Sequence, residues 1–460
     1  MDGTGTGNWE LTTGSWKRQM IRILESNDEQ AIAALLDRSP ARDAEVERAA
    51  AAIVEDVRAR GDAAVREYAR RFDGLEGAFE IPPAEMKRAA ARVPAAVKRA
   101  IRAAARNIRH VAAKQVPRRW KTSPAAGVTI EQRVTPLDSV GCYVPGGRYP
   151  LPSSLLMTAI PARTAGVRTI VAVCPKPDPT VLLAALEAGV TRMFRLGGAQ
   201  AVAALAYGTS SVPRVDKIVG PGNAYVAAAK ALVSRDCAID FFAGPTEILI
   251  LSQNGRAGWI AADLVAQAEH DDDARAVFVT PSRRLARAVV EEVAARTPEA
   301  GPARTSLARN GAVVVTRTLA EAIALSNRMA PEHVVCDSKA VAARLTCAGT
   351  VFVGPFSAQA AGDYVTGSNH VLPTSGAARA RGGLSAADFV RVATVQTVTR
   401  AGIRRIGPDG VALATAEGLS GHADSMSARW RDEAGTSVRE RARARVKESG
   451  GRRLPDHTGQ

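Results

Sequence analysis

Four of the six histidines in this 460-residue chain stand beside carboxylate or amide side chains. Imidazole nitrogens bind transition metals, and imidazole also exchanges protons near neutral pH. The sequence therefore predicts a metal-dependent enzyme. The four clusters are Gln267-Ala-Glu-His270, Pro331-Glu332-His333, Asp363 with Asn369-His370, and Glu417-Gly-Leu-Ser-Gly-His422.

Two of these clusters offer metal ligands. Gln267 and His270 are three residues apart in an amphipathic segment, so they share one helix face and could bind the same ion. Asp363, in a glycine-flanked loop, could add an oxygen ligand, and His422 a second nitrogen. Two nitrogens with two oxygens suit zinc, although glutamine is an uncommon ligand. Taken singly, each residue is more often an ordinary polar side chain.

Glu332 and His333 form the strongest local signal. They lie between Pro331 and an apolar, strand-like run, and two titratable groups at such a junction offer a paired acid and base for proton transfer. His370 follows Asn369 in the loop that contains Asp363, which predicts a small-ligand site there.

Three glycine-rich turns follow predicted strands, at Pro145-Gly-Gly147-Arg148, Gly197-Gly-Ala-Gln200 and Gly220-Pro-Gly-Asn223. Such turns allow a ligand to approach the backbone, and a helix that starts there attracts anionic groups. None matches Gly-x-Gly-x-x-Gly, so ordinary strand-to-helix turns are the favoured interpretation from the residues alone.

The elements that must position these residues alternate between strands and helices. From residue 43 to 116 the apolar spacing is helical, with a break at Gly61. After Val128, short β-branched runs recur with helical segments between them, which predicts parallel sheets. We expect an α/β fold with two Rossmann-like parallel-sheet domains in tandem, a helical N-terminal region and a small helical C-terminal segment.

The predicted boundaries are a partly flexible N-terminal segment over 1–42, a helical region over 43–127 packed on the second α/β domain, a first α/β domain over 128–246, a second over 247–384, a C-terminal segment over 385–430, and a basic disordered tail over 431–460.

Composition narrows the class of protein. The five cysteines form no Cys-x-x-Cys pair, and the N-terminus lacks a signal-peptide layout. No apolar run approaches the roughly 20 residues of a membrane span. We expect a cytoplasmic protein without membrane contact. The net charge of +15 and twelve Lys/Arg between Lys87 and Lys121 raise nucleic-acid binding as an alternative, but aromatic residues for base stacking are almost absent there. We therefore expect no nucleic-acid partner.

The motifs together resemble the histidinol dehydrogenase family over roughly residues 46 to 429. They are Arg60-Gly-Asp62, Tyr143-Val-Pro-Gly-Gly147, Gly197-Gly-Ala-Gln200, Gly220-Pro-Gly-Asn223, Ala243-Gly-Pro-Thr246-Glu, Gln267-Ala-Glu-His270, Pro331-Glu-His333, Gly362-Asp363, Asn369-His-Val-Leu-Pro-Thr374 and Glu417 to His422. That family oxidises L-histidinol to L-histidine through the aldehyde, with two NAD and a zinc ion.

The resemblance implies a role for each matching residue. Glu332 and His333 match the catalytic acid/base pair, and Gln267, His270, Asp363 and His422 match the ligands of one zinc ion per subunit. The residues implied to contact histidinol are the four zinc ligands together with Thr246, His333, His370 and Glu417. Tyr143, Gln200 and Asn223 match residues near NAD, which makes 128–246 the NAD-binding domain and 247–384 the metal and catalytic domain. The family is homodimeric, and its C-terminal segment, here 385–430, reaches into the neighbouring subunit, so His422 and Glu417 are expected to complete the partner's site.

Two departures from the family pattern concern the site. Thr246 replaces the usual serine, and Asp271-Asp272 replace a Gly-Pro pair after His270. A related zinc and NAD dehydrogenase of another polar alcohol, such as sulfopropanediol, is the alternative. Retention of His370 and Glu417 favours a cationic amino-imidazole substrate over a sulfonate.

Overall fold

The computed structural model describes residues 20–37, 43–146, 149–242 and 244–430. They form two compact units, one from the chain up to Val116 together with Pro136–Val390, the other from Pro117–Thr135 together with the chain from Arg391. No helix in the described part of the chain is long and apolar enough to cross a membrane. The predicted tail over 431–460 and the stretches 1–19 and 38–42 lie outside the described residues.

Fourteen strands are described in these ranges. They are β1 (Arg22–Glu25), β2 (Trp120–Ala125), β3 (Val128–Pro136), β4 (Ser139–Tyr143), β5 (Thr169–Val173), β6 (Arg192–Phe194), β7 (Lys217–Val219), β8 (Ala238–Ile239), β9 (Glu247–Leu251), β10 (Arg275–Thr280), β11 (Ala312–Val315), β12 (His333–Cys336), β13 (Thr350–Val353) and β14 (Val390–Val398).

The described helices are α1 (Glu29–Leu36), α2 (Ala44–Arg60), α3 (Asp62–Tyr68), α4 (Pro83–Ala91), α5 (Ala95–Gln115), α6 (Pro152–Ala165), α7 (Pro179–Ala188), α8 (Gly198–Tyr207), α9 (Ala224–Val233), α10 (Ala257–Ala268), α11 (Arg283–Arg296), α12 (Pro302–Asn310), α13 (Leu319–Met329), α14 (Lys339–Ala342), α15 (Gln359–Tyr364), α16 (Arg400–Ala416) and α17 (Ser420–Ser427). A π-helical turn, Ala69–Asp73, follows α3, and 3₁₀ turns occupy Ala377–Arg379 and Ala386–Phe389.

Two parallel sheets form the first unit and confirm the predicted fold class. The first sheet has the order β6-β5-β4-β7-β8, and the second has β1-β11-β10-β9-β12-β13. In the first sheet, β5 and β6 lie on one side of β4, and β7 and β8 lie on its other side. In the second sheet, β10 and β11 lie on one side of β9, and β12 and β13 lie on its other side. The chain therefore changes direction between β4 and β7, and again between β9 and β12, where open α/β sheets leave a crevice.

The ten strands predicted from β-branched runs after Val128 all lie in these two sheets. The inner strands are buried on both faces, as β9 and β11 show at every position, and such strands read as continuous apolar runs. One strand of the second sheet comes from elsewhere: β1 pairs in parallel with β11 at the sheet edge. The predicted N-terminal segment over 1–42 therefore contributes a strand, and Ile21 before it is fully buried.

The prediction that the helices of 43–127 pack on the second α/β domain is wrong. Residues Ala50, Val54 and Val57 of α2 pack with Val173 and Phe194 of the first sheet. The apolar face of α5 likewise packs against α6, the helix between β4 and β5. Apolar spacing shows that a helix has a buried face, but it does not show which sheet covers that face.

The second unit contains an antiparallel element that the sequence did not suggest. Its sheet has the order β14-β3-β2, with β2 and β3 antiparallel. The predicted helical region thus ends with a strand at 120–125, and the predicted helical C-terminal segment begins with β14. Helices α16 and α17 follow β14 and pack on each other.

A buried ion pair fixes the loop after β7. Lys230 and Asp240 are 4% and 5% exposed and contact each other. Together they bind both backbone polar groups of Gly220, because Lys230 Nζ donates to Gly220 O at 3.0 Å and Asp240 Oδ2 accepts from Gly220 N at 2.8 Å. Gly220 has a φ of +116°, and a Cβ there would lie 2.1 Å from the carbonyl oxygen of Tyr143.

Lys230→Met is expected to lower the free energy of unfolding by about 3–5 kcal/mol, because it leaves the Asp240 carboxylate buried and unpaired. Urea denaturation measures this change, and the exposed Lys87→Met provides the matched control. Replacing both members of the pair by apolar residues is expected to recover part of the loss. A loss below about 1 kcal/mol, typical of an exposed pair, would contradict the role given to Lys230.

Candidate active site

The predicted acid/base pair lies where the second sheet changes direction. Strands β9 and β12 are parallel neighbours with His333 opposite Ile248, so the residues that precede both strands meet at their amino ends. Helix α13 ends at Met329. Ala330 follows with a left-handed φ of 45°, and Pro331 then leads the chain into β12. This turn places Glu332 against Thr246 and Glu247.

Glu332 is held by two donors. Its Oε2 accepts from Thr246 Oγ1 at 2.6 Å and from the Glu247 amide at 2.8 Å. The Glu332 amide in turn donates to Glu247 Oε1 at 3.2 Å. Burial raises the pKa of Glu332 to about 8, against the opposing effect of the bonds from Thr246 and Glu247. A carboxyl group with such a pKa can gain and lose a proton near neutral pH.

His333 is buried beside Glu332 and has a defined tautomer. Its Nδ1 lies 3.0 Å from the Glu247 carbonyl oxygen, which can only accept, so Nδ1 carries the proton. The lone pair is therefore on Nε2, which lies 3.9 Å from Asp363 Oδ1. Burial lowers the pKa of His333, while the Asp363 carboxylate acts the other way. The side chain is suited to accept a proton at Nε2.

Asp363 and His370 form the facing side of the site. Asp363 Oδ2 accepts from Gln359 Nε2 at 2.8 Å, one turn earlier in α15. His370 Nδ1 donates to the Asp363 carbonyl oxygen at 3.0 Å. The residues around these groups line a narrow cleft, and they are His333, Thr350, Phe352, Gly362, Asp363, Ser368, Asn369, His370 and Leu372. The lining of this cleft contains a carboxylate and no lysine or arginine.

Gln267 and His270 present two donor atoms suited to a metal. Gln267 lies in the last turn of α10, but the helix ends at Ala268, so His270 follows it and the predicted shared helix face is wrong. Gln267 Nε2 donates to Thr246 Oγ1 at 2.7 Å, whereas its Oε1 is buried with no hydrogen-bond partner among the described residues. His270 Nδ1 lies 3.2 Å from the carbonyl oxygens of Ala266 and Gln267, so the lone pair is on Nε2. A histidine that donates through one nitrogen to a carbonyl is typical of metal ligands.

The structure thus brings Thr246, Gln267, Glu332, His333, Asp363 and His370 into one region of the first unit, with His270 at its exposed end. Glu417 and His422 belong to the second unit, where Glu417 ends α16, His422 lies in the first turn of α17, and both are exposed. Within the described ranges, no three His, Cys, Asp or Glu side chains form a group arranged to hold a metal.

The three residues predicted to contact NAD lie at the carboxyl edge of the first sheet. Tyr143 ends β4, and its hydroxyl accepts from the Gly198 amide at 3.0 Å. Gln200, in the first turn of α8, is buried, and its Oε1 has no hydrogen-bond partner among the described residues. Asn223 caps α9 by accepting from the Val226 amide at 3.1 Å.

Two residues that contact the candidate site residues were not singled out from the sequence. Glu247 binds the Glu332 amide and the His333 ring, and its position directly after Thr246 in the quoted motif could have indicated it. The second is Asp73, whose Oδ2 lies 3.5 Å from Gln200 Nε2. Asp73 follows a helical stretch far along the chain from the glycine-rich turns, and no spacing links them.

The fold and the site define a two-sheet α/β enzyme with a buried carboxyl–imidazole pair at the junction of β9 and β12. The chain belongs to the histidinol dehydrogenase family, whose model matches residues 36–430. It is 48% identical to the histidinol dehydrogenase of Cereibacter sphaeroides, covering 84% of this chain and 92% of that one. Identity to the enzyme of Geobacter sulfurreducens is 45%, covering 89% and 99%.

A solved structure agrees with this assignment. The crystal structure of histidinol dehydrogenase from Elizabethkingia anophelis superposes with a TM-score of 0.86 at 32% sequence identity, covering 89% of this chain and 98% of that one.

Proposed function

We propose that this protein oxidises L-histidinol to L-histidine through the aldehyde, in two successive NAD-dependent steps. The observation that carries the proposal is the buried Glu332–His333 pair, in which His333 lines a cleft together with Asp363 and His370. Family membership supports the reaction. The carboxylate and the lack of lysine or arginine in the cleft lining favour a cationic substrate over a sulfonated one.

The residues present fit a zinc ion. The orphaned Gln267 Oε1, the Nε2 lone pair of His270 and the Asp363 carboxylate supply donors of the types that zinc accepts. We propose Gln267, His270, Asp363 and His422 as its ligands. Zinc, when bound, supplies a positive charge that holds and orients the substrate. The protein would then act as a homodimer in which the partner subunit contributes His422 and Glu417.

His333 and Glu332 divide the proton transfers. His333 Nε2 accepts the alcohol proton in the first oxidation, and the Nδ1–H bond to the Glu247 carbonyl keeps the ring oriented. Deprotonated Glu332 then takes a proton from the water that attacks the aldehyde. Thr246 orients this carboxylate and also Gln267, because its hydroxyl donates to Glu332 Oε2 and accepts from Gln267 Nε2.

The NAD site is proposed at the carboxyl edge of the first sheet, next to Tyr143, Gln200 and Asn223. NAD, when bound, supplies the hydride acceptor for both oxidations. The crevice between β4 and β7 supports this placement, since dinucleotides bind where the order of such a sheet reverses. Burial raises the pKa of Tyr143 to about 12, so its hydroxyl remains a hydrogen-bond donor at working pH.

Steady-state assays with L-histidinol and with sulfopropanediol test the substrate. NADH formation from L-histidinol, with kcat/KM far above that for the sulfonated diol, is the expected result. Turnover of the sulfonated diol by folded, zinc-loaded protein that leaves L-histidinol untouched would overturn the proposal in favour of the alternative dehydrogenase.

The aldehyde-to-acid half-reaction is expected to speed up from about pH 6 to about pH 9. The raised pKa of Glu332, about 8, makes its basic form the minor one at neutral pH, and that form grows as pH rises. Aldehyde oxidation measured across this range checks the prediction, and Glu332→Gln is expected to remove the rising limb. A flat profile in the parent protein would exclude Glu332 as the group that activates water.

A further inference from the structure

Asp73 brings a carboxylate to the carboxyl edge of the first sheet. It ends the π-helical turn Ala69–Asp73, and Gly74 follows with a left-handed φ of 64°. The Asp73 carboxylate lies close to the Gly197 backbone, and its Oδ2 lies 3.5 Å from Gln200 Nε2. Burial raises the pKa of Asp73, whereas the nearby Lys176 ammonium and the polar groups of Gly197 and Gln200 act the other way.

The ends of β5 and β6 surround this carboxylate. Lys176 follows β5, and Gly197 follows β6. In Rossmann-type sheets, an acidic residue after the second strand binds the adenosine ribose hydroxyls, whereas a basic residue there accommodates a 2′-phosphate. Along the chain, β5 is the second strand of this sheet, after β4. The residue that follows β5 at the position expected to be acidic is Lys176.

The nearest acidic residue after β5 is already engaged. Asp178 caps α7, and its Oδ1 accepts from the amide and the hydroxyl of Thr180 at 2.7 and 2.6 Å. Asp73 therefore supplies the carboxylate at this position from a different part of the chain.

The same contacts show which part of a dinucleotide fits here. The first amide of α8 is occupied, since Gly198 donates to the Tyr143 hydroxyl at 3.0 Å. The Asp73 carboxylate nearby repels a pyrophosphate and favours a neutral diol. Gln200 Oε1, buried without a partner among the described residues, provides a second acceptor beside it.

We propose that Asp73 binds the adenosine ribose hydroxyls of the cofactor and thereby selects NAD over NADP. Lys176 is the group that accepts a 2′-phosphate once the charge of Asp73 is removed. This inference rests on the proposed function for the identity of the cofactor, and it makes Asp73 a specificity-determining residue.

Kinetics with NAD and with NADP test it. Asp73→Asn is expected to lower kcat/KM for NAD about tenfold to a hundredfold, through a higher KM for NAD, with the KM for L-histidinol unchanged. The ratio of kcat/KM for NADP to that for NAD is expected to rise by at least about tenfold. In the double variant with Asp73→Asn and Lys176→Ala, the rise in kcat/KM for NADP relative to NAD should disappear. Glu76→Gln, which removes one exposed carboxylate three residues away, should change neither cofactor constant.

Failure of the Asp73 inference can be told apart from failure of the proposed function. If the parent protein does not oxidise L-histidinol, the proposed function fails, and fluorescence titration with NADH and NADPH still tests Asp73. If it does oxidise L-histidinol and Asp73→Asn leaves the cofactor ratio unchanged, only the Asp73 inference is overturned. Should Asp73→Asn fail to fold, equal use of NAD and NADP by the parent protein would overturn the inference by itself.

Discussion

Glu332→Gln is expected to slow oxidation of the aldehyde to the acid by about 10²–10⁴-fold, the range that a general base contributes. Glutamine has nearly the shape of glutamate, and its amide oxygen can still accept from Thr246 and from the Glu247 amide. The variant therefore loses the proton acceptor while the site keeps its packing. Oxidation of the alcohol to the aldehyde should be much less affected, because His333 is the residue proposed to accept that proton.

The measurement supplies the alcohol and the aldehyde separately and follows NADH in each case. Glu299→Gln, an exposed carboxylate removed in the same way, is the control and should behave as the parent protein. Equal losses in both half-reactions would show that Glu332 does not act specifically on the water-dependent step.

His270→Ala is expected to remove the metal and abolish turnover while the fold is retained. His270 is exposed at the end of α10, so its loss removes little core packing. The ring nitrogen is a proposed ligand, and its loss should weaken metal binding by at least the roughly 10–100-fold that losing an outer-shell partner costs. Metal content per subunit and NADH formation are the two readouts, with circular dichroism as the check on folding.

His110→Ala is the matched control, because His110 is an exposed histidine on α5 that the proposal gives no role. It should bind metal and turn over as the parent protein does. Full zinc content in folded His270→Ala protein would remove His270 from the ligand set.

The strands that the sequence predicted differ in a physical way from those it missed. Strands such as β9 and β11 are buried on both faces, and their continuous apolar runs are visible in the sequence. Strand β14, by contrast, is exposed at most positions and mixes valine with threonine, arginine and glutamine. Strand β1, at a sheet edge, has a charged residue at each end and no fully buried position, so it lacks a continuous apolar run.

The sequence indicated several residues that the structure brings into one region, but it did not indicate how they are arranged. The position of Glu332-His333 before an apolar run indicated a strand start, and the strand does begin at His333. The start of β12 lies against Thr246 because β12 pairs with β9. This strand order is determined by packing and is not visible in the sequence. The approach of Asp73 to Gln200 depends likewise on how α2 and α3 pack on the first sheet, which apolar spacing leaves open.

The most direct test of the proposed reaction is NADH formation from L-histidinol by metal-free protein, repeated after zinc is added. No NADH is expected without metal, and two NADH per histidinol consumed are expected once zinc is present, with L-histidine as the product. Release of only one NADH with accumulation of the aldehyde, or the same rate with and without metal, would contradict the proposed reaction.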